Sequence, residues 1–106
     1  MAWIFLMIAG LLEVVWACAM KLSDGFTQPG PTIVTIVAMG FSFAFLALAM
    51  RTLPLGTAYT IWTGTGAVGA FVIGIVMLGE AVSVMRLIAA ALIVSGLVTM
   101  KLASAD

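Results

Sequence analysis

An all-α membrane protein of four spanning helices is the fold class this sequence predicts, and three observations predict it. Hydrophobic residues make up 65% of the 106-residue chain and charged residues 8%, where a soluble globular chain carries about 25% charge. Four apolar stretches, each close to the ~20 residues a bilayer span requires, are separated by turn-forming residues. The connections between them are too short to fold alone, so function must lie among the helices.

The first stretch runs from about Ala2 to Leu22 and stops at Ser23-Asp24-Gly25, with Gln28-Pro29-Gly30-Pro31 extending the loop. Its Ala17-Cys18-Ala19 mimics a signal-peptidase site. No positive n-region precedes it, and Glu13 interrupts the core, so a retained helix is expected. The second stretch, about Thr32–Met50, ends at Arg51-Thr52-Leu53-Pro54. The third, about Gly56–Leu78, closes at Gly79-Glu80, and the fourth spans about Met85–Leu102 before a short tail. Together they form one domain over residues 1–106.

Composition also excludes functions. The net charge is zero and no basic patch is present, which argues against nucleic-acid binding. With no His and one Cys, the chain can form no internal disulfide and offers no plausible metal cluster. Cys18 reads as a small buried apolar residue. No cofactor is expected.

Glu13 is the most informative residue. It lies about 16 Å into the first helix, near the middle of a hydrocarbon core ~30 Å thick. A carboxylate there costs about 2.5–3.5 kcal/mol on insertion scales, and such an acid marks a functional site unless it is a neutral, hydrogen-bonded structural group. A proton or cation site is the reading preferred here.

The positions sharing a helical face with Glu13 are Ala9, Gly10, Trp16 and Ala17. Small residues leave space beside the acid, and Trp16 offers a flat wall and an indole N–H. The second helix contributes Ser42 near its middle, with Met39 one turn before it. The third contributes Tyr59 and Trp62 on one face. Each has an ordinary reading as packing, an interface anchor, or a hydroxyl bonded back to its own helix. Together, one acid with indoles, a phenol and a hydroxyl suits a planar or partly apolar cation, held by ring faces and by the carboxylate. Trp16, Ser42 and Trp62 are expected to orient Glu13 as well as touch the cation.

In the third helix, Gly64, Gly66 and Gly69 match GxGxxG, but a dinucleotide site needs a strand and a βαβ unit that this chain has no room for. Gly64 and Gly66 instead allow a hinge or close helix packing, and Gly66-Ala70-Gly74 supplies a small-residue edge. In the fourth helix Ala89, Gly96 and Ala103 recur at heptad spacing, with Ala91 and Ser95 nearby. They read as a dimer seam or, alternatively, as packing within one chain.

Four spans place both termini with Arg51 and Lys101 on one side, against Lys21 and Arg86 on the other. Two against two gives the positive-inside rule almost nothing to act on. The chain is therefore expected to insert both ways and to pair as an antiparallel dual-topology homodimer, whose two-fold axis lies in the membrane plane as between inverted repeats.

These residues also carry a family resemblance. Gly10-Leu-Leu-Glu13-Val-Val-Trp16-Ala17, followed by Lys21-Leu-Ser-Asp-Gly25-Phe26-Thr27, resembles the first helix and loop of the small multidrug resistance transporters. Leu53-Pro-Leu-Gly-Thr-Ala-Tyr59-Thr-Ile-Trp62-Thr-Gly64-Thr-Gly66 is similar to that family's third-helix signature. The resemblance implies an antiparallel homodimer in the bacterial inner membrane that exchanges protons for cations at a shared Glu13 pair. Glu-Val-Val-Trp16 and the Trp-Thr-Gly run resemble the guanidinium-exporter subtype. They imply that Gly10, Trp16, Ser42, Tyr59 and Trp62 line the site. Thr60 departs from the Ala common at that position and bears on substrate selection.

The expected activity is thus proton-coupled export of guanidinium and small guanidinyl cations, by a carrier and not an enzyme. Guanidinium stays charged at any working pH, so ionised Glu13 is the form that attracts it. Two facing Glu13 residues would titrate as a coupled pair. One alternative keeps the mechanism and changes the cargo to bulky quaternary ammonium or lipophilic cations. Another is a dual-topology ion channel, with Glu13 as a selectivity group. A structural subunit leaves Glu13 and its aromatic neighbours unexplained.

Overall fold

Pro29, Gly30 and Pro31 open the second helix, although a proline-rich run reads as loop. In the computed structural model, which describes residues 1–104, the helices are α1 (Ala2–Leu22), α2 (Pro29–Ala49), α3 (Leu55–Met77) and α4 (Val84–Ala103). α2 therefore starts three residues before the expected Thr32. The physical reason is that the first turn of a helix has no intrahelical use for its N–H groups, so proline fits there. Gln28 stands extended as N-cap (φ −96°, ψ 118°), and its carbonyl accepts from the Thr32 amide at 3.1 Å and hydroxyl at 2.6 Å. The last two residues of the expected tail lie outside the described residues.

All four helices are long and apolar enough to cross a membrane, and this is a multi-pass membrane protein. Their ends follow local chemistry. After α1, the buried Ser23 donates to the Met20 carbonyl at 2.6 Å and accepts from the Phe26 amide at 3.1 Å. Asp24, Gly25 and Phe26 then turn with positive φ. Gly79 (φ 69°) ends α3, letting the Glu80 amide donate back to the Gly74 carbonyl at 3.0 Å. Ser83 caps α4 by accepting from the Arg86 amide at 3.2 Å.

The helices stand nearly in a row, α2–α1–α3–α4. α1 packs extensively on α2 and on α3, α3 carries α4, and α2 touches α3 only slightly. The result is a slab with extents of 42 × 34 × 16 Å. The core gathers at one end, where Leu6 and Ala9 of α1 meet Leu46 and Ala49 of α2, Leu53 of the loop, and Ala58 and Trp62 of α3. α4 has no buried residue along its length. Its backbone neighbours only α3, and its last turn reaches α1 through Lys101, whose ammonium lies 4.2 Å from the centre of the Trp3 ring.

Candidate functional site

One turn beyond the core residue Ala9, α1 places Glu13. Its side chain lies against α3 at Gly66, so closely that a β-carbon built on Gly66 would collide with the carboxyl oxygen Oε1, Cδ and Cγ. Glu13 is half-buried as a residue, yet its Oε1 is wholly inaccessible and has no hydrogen-bond partner. A buried unpaired carboxylate oxygen is costly in a low dielectric. A positive charge or a donor is what this atom lacks.

Neighbouring contacts fix the fit. The buried Gly10 lies against Thr65, whose Cγ2 would be 2.8 Å from a β-carbon on Gly10. Gly69 faces the branched side chain of Val14. Thus α1 and α3 interlock at three successive places, with Thr65 in the Gly10 hole, Glu13 in the Gly66 hole and Val14 in the Gly69 hole. Close approach through glycine is the usual way spanning helices pack. On the opposite side of α3, Gly64 receives Leu97 of α4. α3 is α-helical without interruption from Leu55 to Met77. In this conformation, Gly64 and Gly66 each take a packing partner.

Ser42 and Trp62 meet each other, and their donors go to partners other than the Glu13 carboxyl. The Trp62 indole N–H donates to the Ser42 hydroxyl at 3.0 Å, and that hydroxyl donates to the Ala9 carbonyl at 2.7 Å. Ser42 is fully buried and Trp62 is 8% exposed. In a helix, the Ala9 carbonyl is also the acceptor for the Glu13 amide, four residues on. The relay α3→α2→α1 therefore holds the turn of backbone that carries Glu13, and neither donor bonds the carboxyl. The Trp16 indole N–H is buried with no partner.

An aromatic row runs beside the relay. Trp16 meets Phe43 edge-on with centroids 6.3 Å apart, Phe43 meets Trp62 at 5.7 Å, and Trp62 meets Tyr59 at 5.5 Å. Edge-to-face spacings of this size are favourable. Tyr59 closes the row on the exposed side, and Met39 is half-buried one turn before Ser42. Phe43 was not singled out from sequence. It follows Ser42 directly, and adjacent residues on a helix do not share a face, so helical periodicity gave no reason to group them. Its ring reaches Trp16 and Trp62 because α2 lies across both.

Further along α1 and α3, an open cavity of about 260 Å³ is lined by Ala17, Cys18, Lys21, Phe71 and Glu80 among others. Ala17 is one turn past Glu13 on the same face. Glu80, the only other glutamate, is another residue sequence reasoning left aside. The turn at Gly79 folds its carboxylate over the buried Gly74. Thr60 lies apart from this cavity, in an open groove of about 340 Å³ between α3 and α4 with Tyr59, Thr63, Gly64, Ala67 and Ile93. Ala89 lines a recess of about 230 Å³ between α3 and α4, whereas Gly96 has open space around it. Among the described residues, no group of three or more His, Cys, Asp or Glu is placed to hold a metal ion.

Comparison of the sequence with known proteins finds relatives that it matches over nearly their whole length. A guanidinium exporter of Yersinia pseudotuberculosis is 55% identical over 104 residues, covering 98% of this chain and 100% of the relative. Guanidinium exporters of Citrobacter freundii and Klebsiella oxytoca are 57% identical over 104 residues, covering 98% of this chain and 99% of each relative. The family model described as Small Multidrug Resistance protein matches residues 1–93, and the chain belongs to that family.

Proposed function

We propose that this protein exports guanidinium and small guanidinyl cations across the bacterial inner membrane in exchange for protons. In this reading two copies pack as an antiparallel dual-topology homodimer and share a site built on their Glu13 residues. The observation that carries the proposal is the Glu13 carboxyl itself, mid-helix, with one oxygen buried and unpartnered. Relatives at 55–57% identity that are named guanidinium exporters support the choice of cargo. A proton and a cation can each supply the charge that this oxygen lacks, so binding of one displaces the other. Only ionised Glu13 attracts guanidinium, which gives competition a direction: a low pH on one side loads protons there and releases cation.

The roles of the neighbours follow from their placement. Gly10 permits α1 to approach α3, and the Trp62–Ser42–Ala9 relay fixes the turn carrying Glu13. Trp16, Tyr59 and Trp62 offer ring faces for a planar cation, with Met39 as an adaptable apolar wall. Gly64 and Gly66 are the hinge at which α3 would bend as the dimer changes its facing side. Ala89 and Gly96 belong to the seam between copies.

Transport by the purified protein in liposomes tests this. Guanidinium should accumulate against its gradient when a proton gradient opposes it, with stoichiometric proton movement, and a bulky quaternary ammonium ion should compete poorly. Preference for the quaternary ion would transfer the cargo to that class. Cation flux without proton movement would make the protein a channel.

A further inference from the structure

We propose that Gly66 is a positioning residue for the exchange site: the space left by its missing side chain is the seat of the Glu13 carboxyl. The inference rests on reading Glu13 as the exchange group, and it gives Gly66 a task separate from bending α3.

Three glycines at the α1–α3 interface accept a side chain from the helix across it, and they differ in what they accept. At Gly10 and Gly69 the guests are Thr65 and Val14, β-branched side chains that are stiff at χ1. A methyl group added at either glycine would meet atoms that cannot swing away, so the helices themselves must separate. At Gly66 the guest is the end of a long, flexible glutamate, met at Oε1, Cδ and Cγ. A methyl there can be accommodated by expelling the carboxyl, with the helices left in place. Substitution at Gly66 is thus absorbed by the functional group, and substitution at Gly69 by the packing.

The seat also defines what the carboxyl can present. The carboxyl end of Glu13 lies against Gly66 at Oε1, Cδ and Cγ, and Oε1 is buried there without a partner. Trp16, one turn further along α1, lies on the same side of the helix. A carboxyl so held can meet a thin planar cation between itself and the rings. Expelled from the seat, it would fill that space with its own atoms.

The experiment compares Gly66→Ala with Gly69→Ala in the full chain, reading thermal stability in detergent, guanidinium affinity and the pH profile of carbodiimide labelling of Glu13. Gly66→Ala should keep its melting temperature near that of the parent, lose roughly tenfold or more in affinity, as for a misplaced charged hydrogen bond, and shift the labelling profile. Gly69→Ala should lower the melting temperature and leave the labelling profile in place. Glu13→Asp shortens the guest by one methylene. In that background, adding Gly66→Ala should change affinity by less than about threefold, because clashing partners are not additive. The seat is refuted if Gly66→Ala leaves affinity and labelling unaltered, or if Gly69→Ala shifts the labelling profile as much. Should the parent bind no guanidinium while the labelling contrast holds, the cargo reading falls and the seat stands.

Discussion

Ser42 has one hydroxyl proton, and it goes to the Ala9 carbonyl and not to Glu13. Ser42→Ala would leave the Trp62 indole N–H as a buried donor without an acceptor, at a cost of about 1–3 kcal/mol. It would also loosen the turn that carries Glu13. Lower thermal stability in detergent and weaker guanidinium binding should appear together. Adding Trp62→Phe should then cost much less than it does alone, with a coupling of about 0.5–3 kcal/mol between the two positions. Additive losses would mean that the two residues act separately. At this scale the sequence was informative where chemistry stands out against an apolar background. Glu13 is the single acid in its span, and Ser42 and Trp62 are mid-helix groups with few neighbours of their kind. The destination of the Ser42 proton was not legible, because it depends on three helices meeting at one point. The seat of Glu13 on Gly66 was hidden for the same reason, since a glycine in a helix looks alike whether it is a hinge or a hole.

α4 is the element whose purpose a single chain does not explain. None of its residues is buried, and its backbone neighbours only α3. The lengths of all four helices could be read from apolar runs and turn residues, with the largest discrepancy at Pro29-Gly30-Pro31, where proline marks a helix start as readily as a loop. The faces could not be read so easily, because a helix in lipid is apolar all round and its periodicity says little about which side is covered. Small residues are the remaining clue. Gly64 receives Leu97 and so joins α4 to α3, whereas a β-carbon on Gly96 would meet nothing within 4 Å. A larger side chain at Gly96 should therefore leave the single chain intact and obstruct whatever packs on that face. Gly96→Leu is expected to reduce cross-linked dimer in membranes at least severalfold while the four helices persist by circular dichroism. An unaltered dimer yield would move the seam off this face.

For the whole molecule, shape and charge point the same way. The accessible surface is 6499 Å², against about 5,600 Å² for a compact chain of this mass, because a row of helices 16 Å thick covers itself poorly. Arg51 and Lys101 balance Lys21 and Arg86 two against two, and the proposed dual topology rests on that balance. Two lysines added after Ser104 should bias insertion towards a cytoplasmic C-terminus and lower export, and co-expression with an oppositely biased copy should restore it. Full export by the biased chain alone would exclude an obligatory antiparallel pair. What the pair would share is the exchange at Glu13, and one substitution reaches it directly. Glu13→Gln keeps the shape of the side chain and removes its ability to carry a proton or a negative charge. In liposomes under an opposing proton gradient, the parent should accumulate guanidinium with matching proton movement. The Glu13→Gln protein should fold and dimerise but drive none. Uphill guanidinium transport by Glu13→Gln would contradict the assignment of Glu13 as the coupling site.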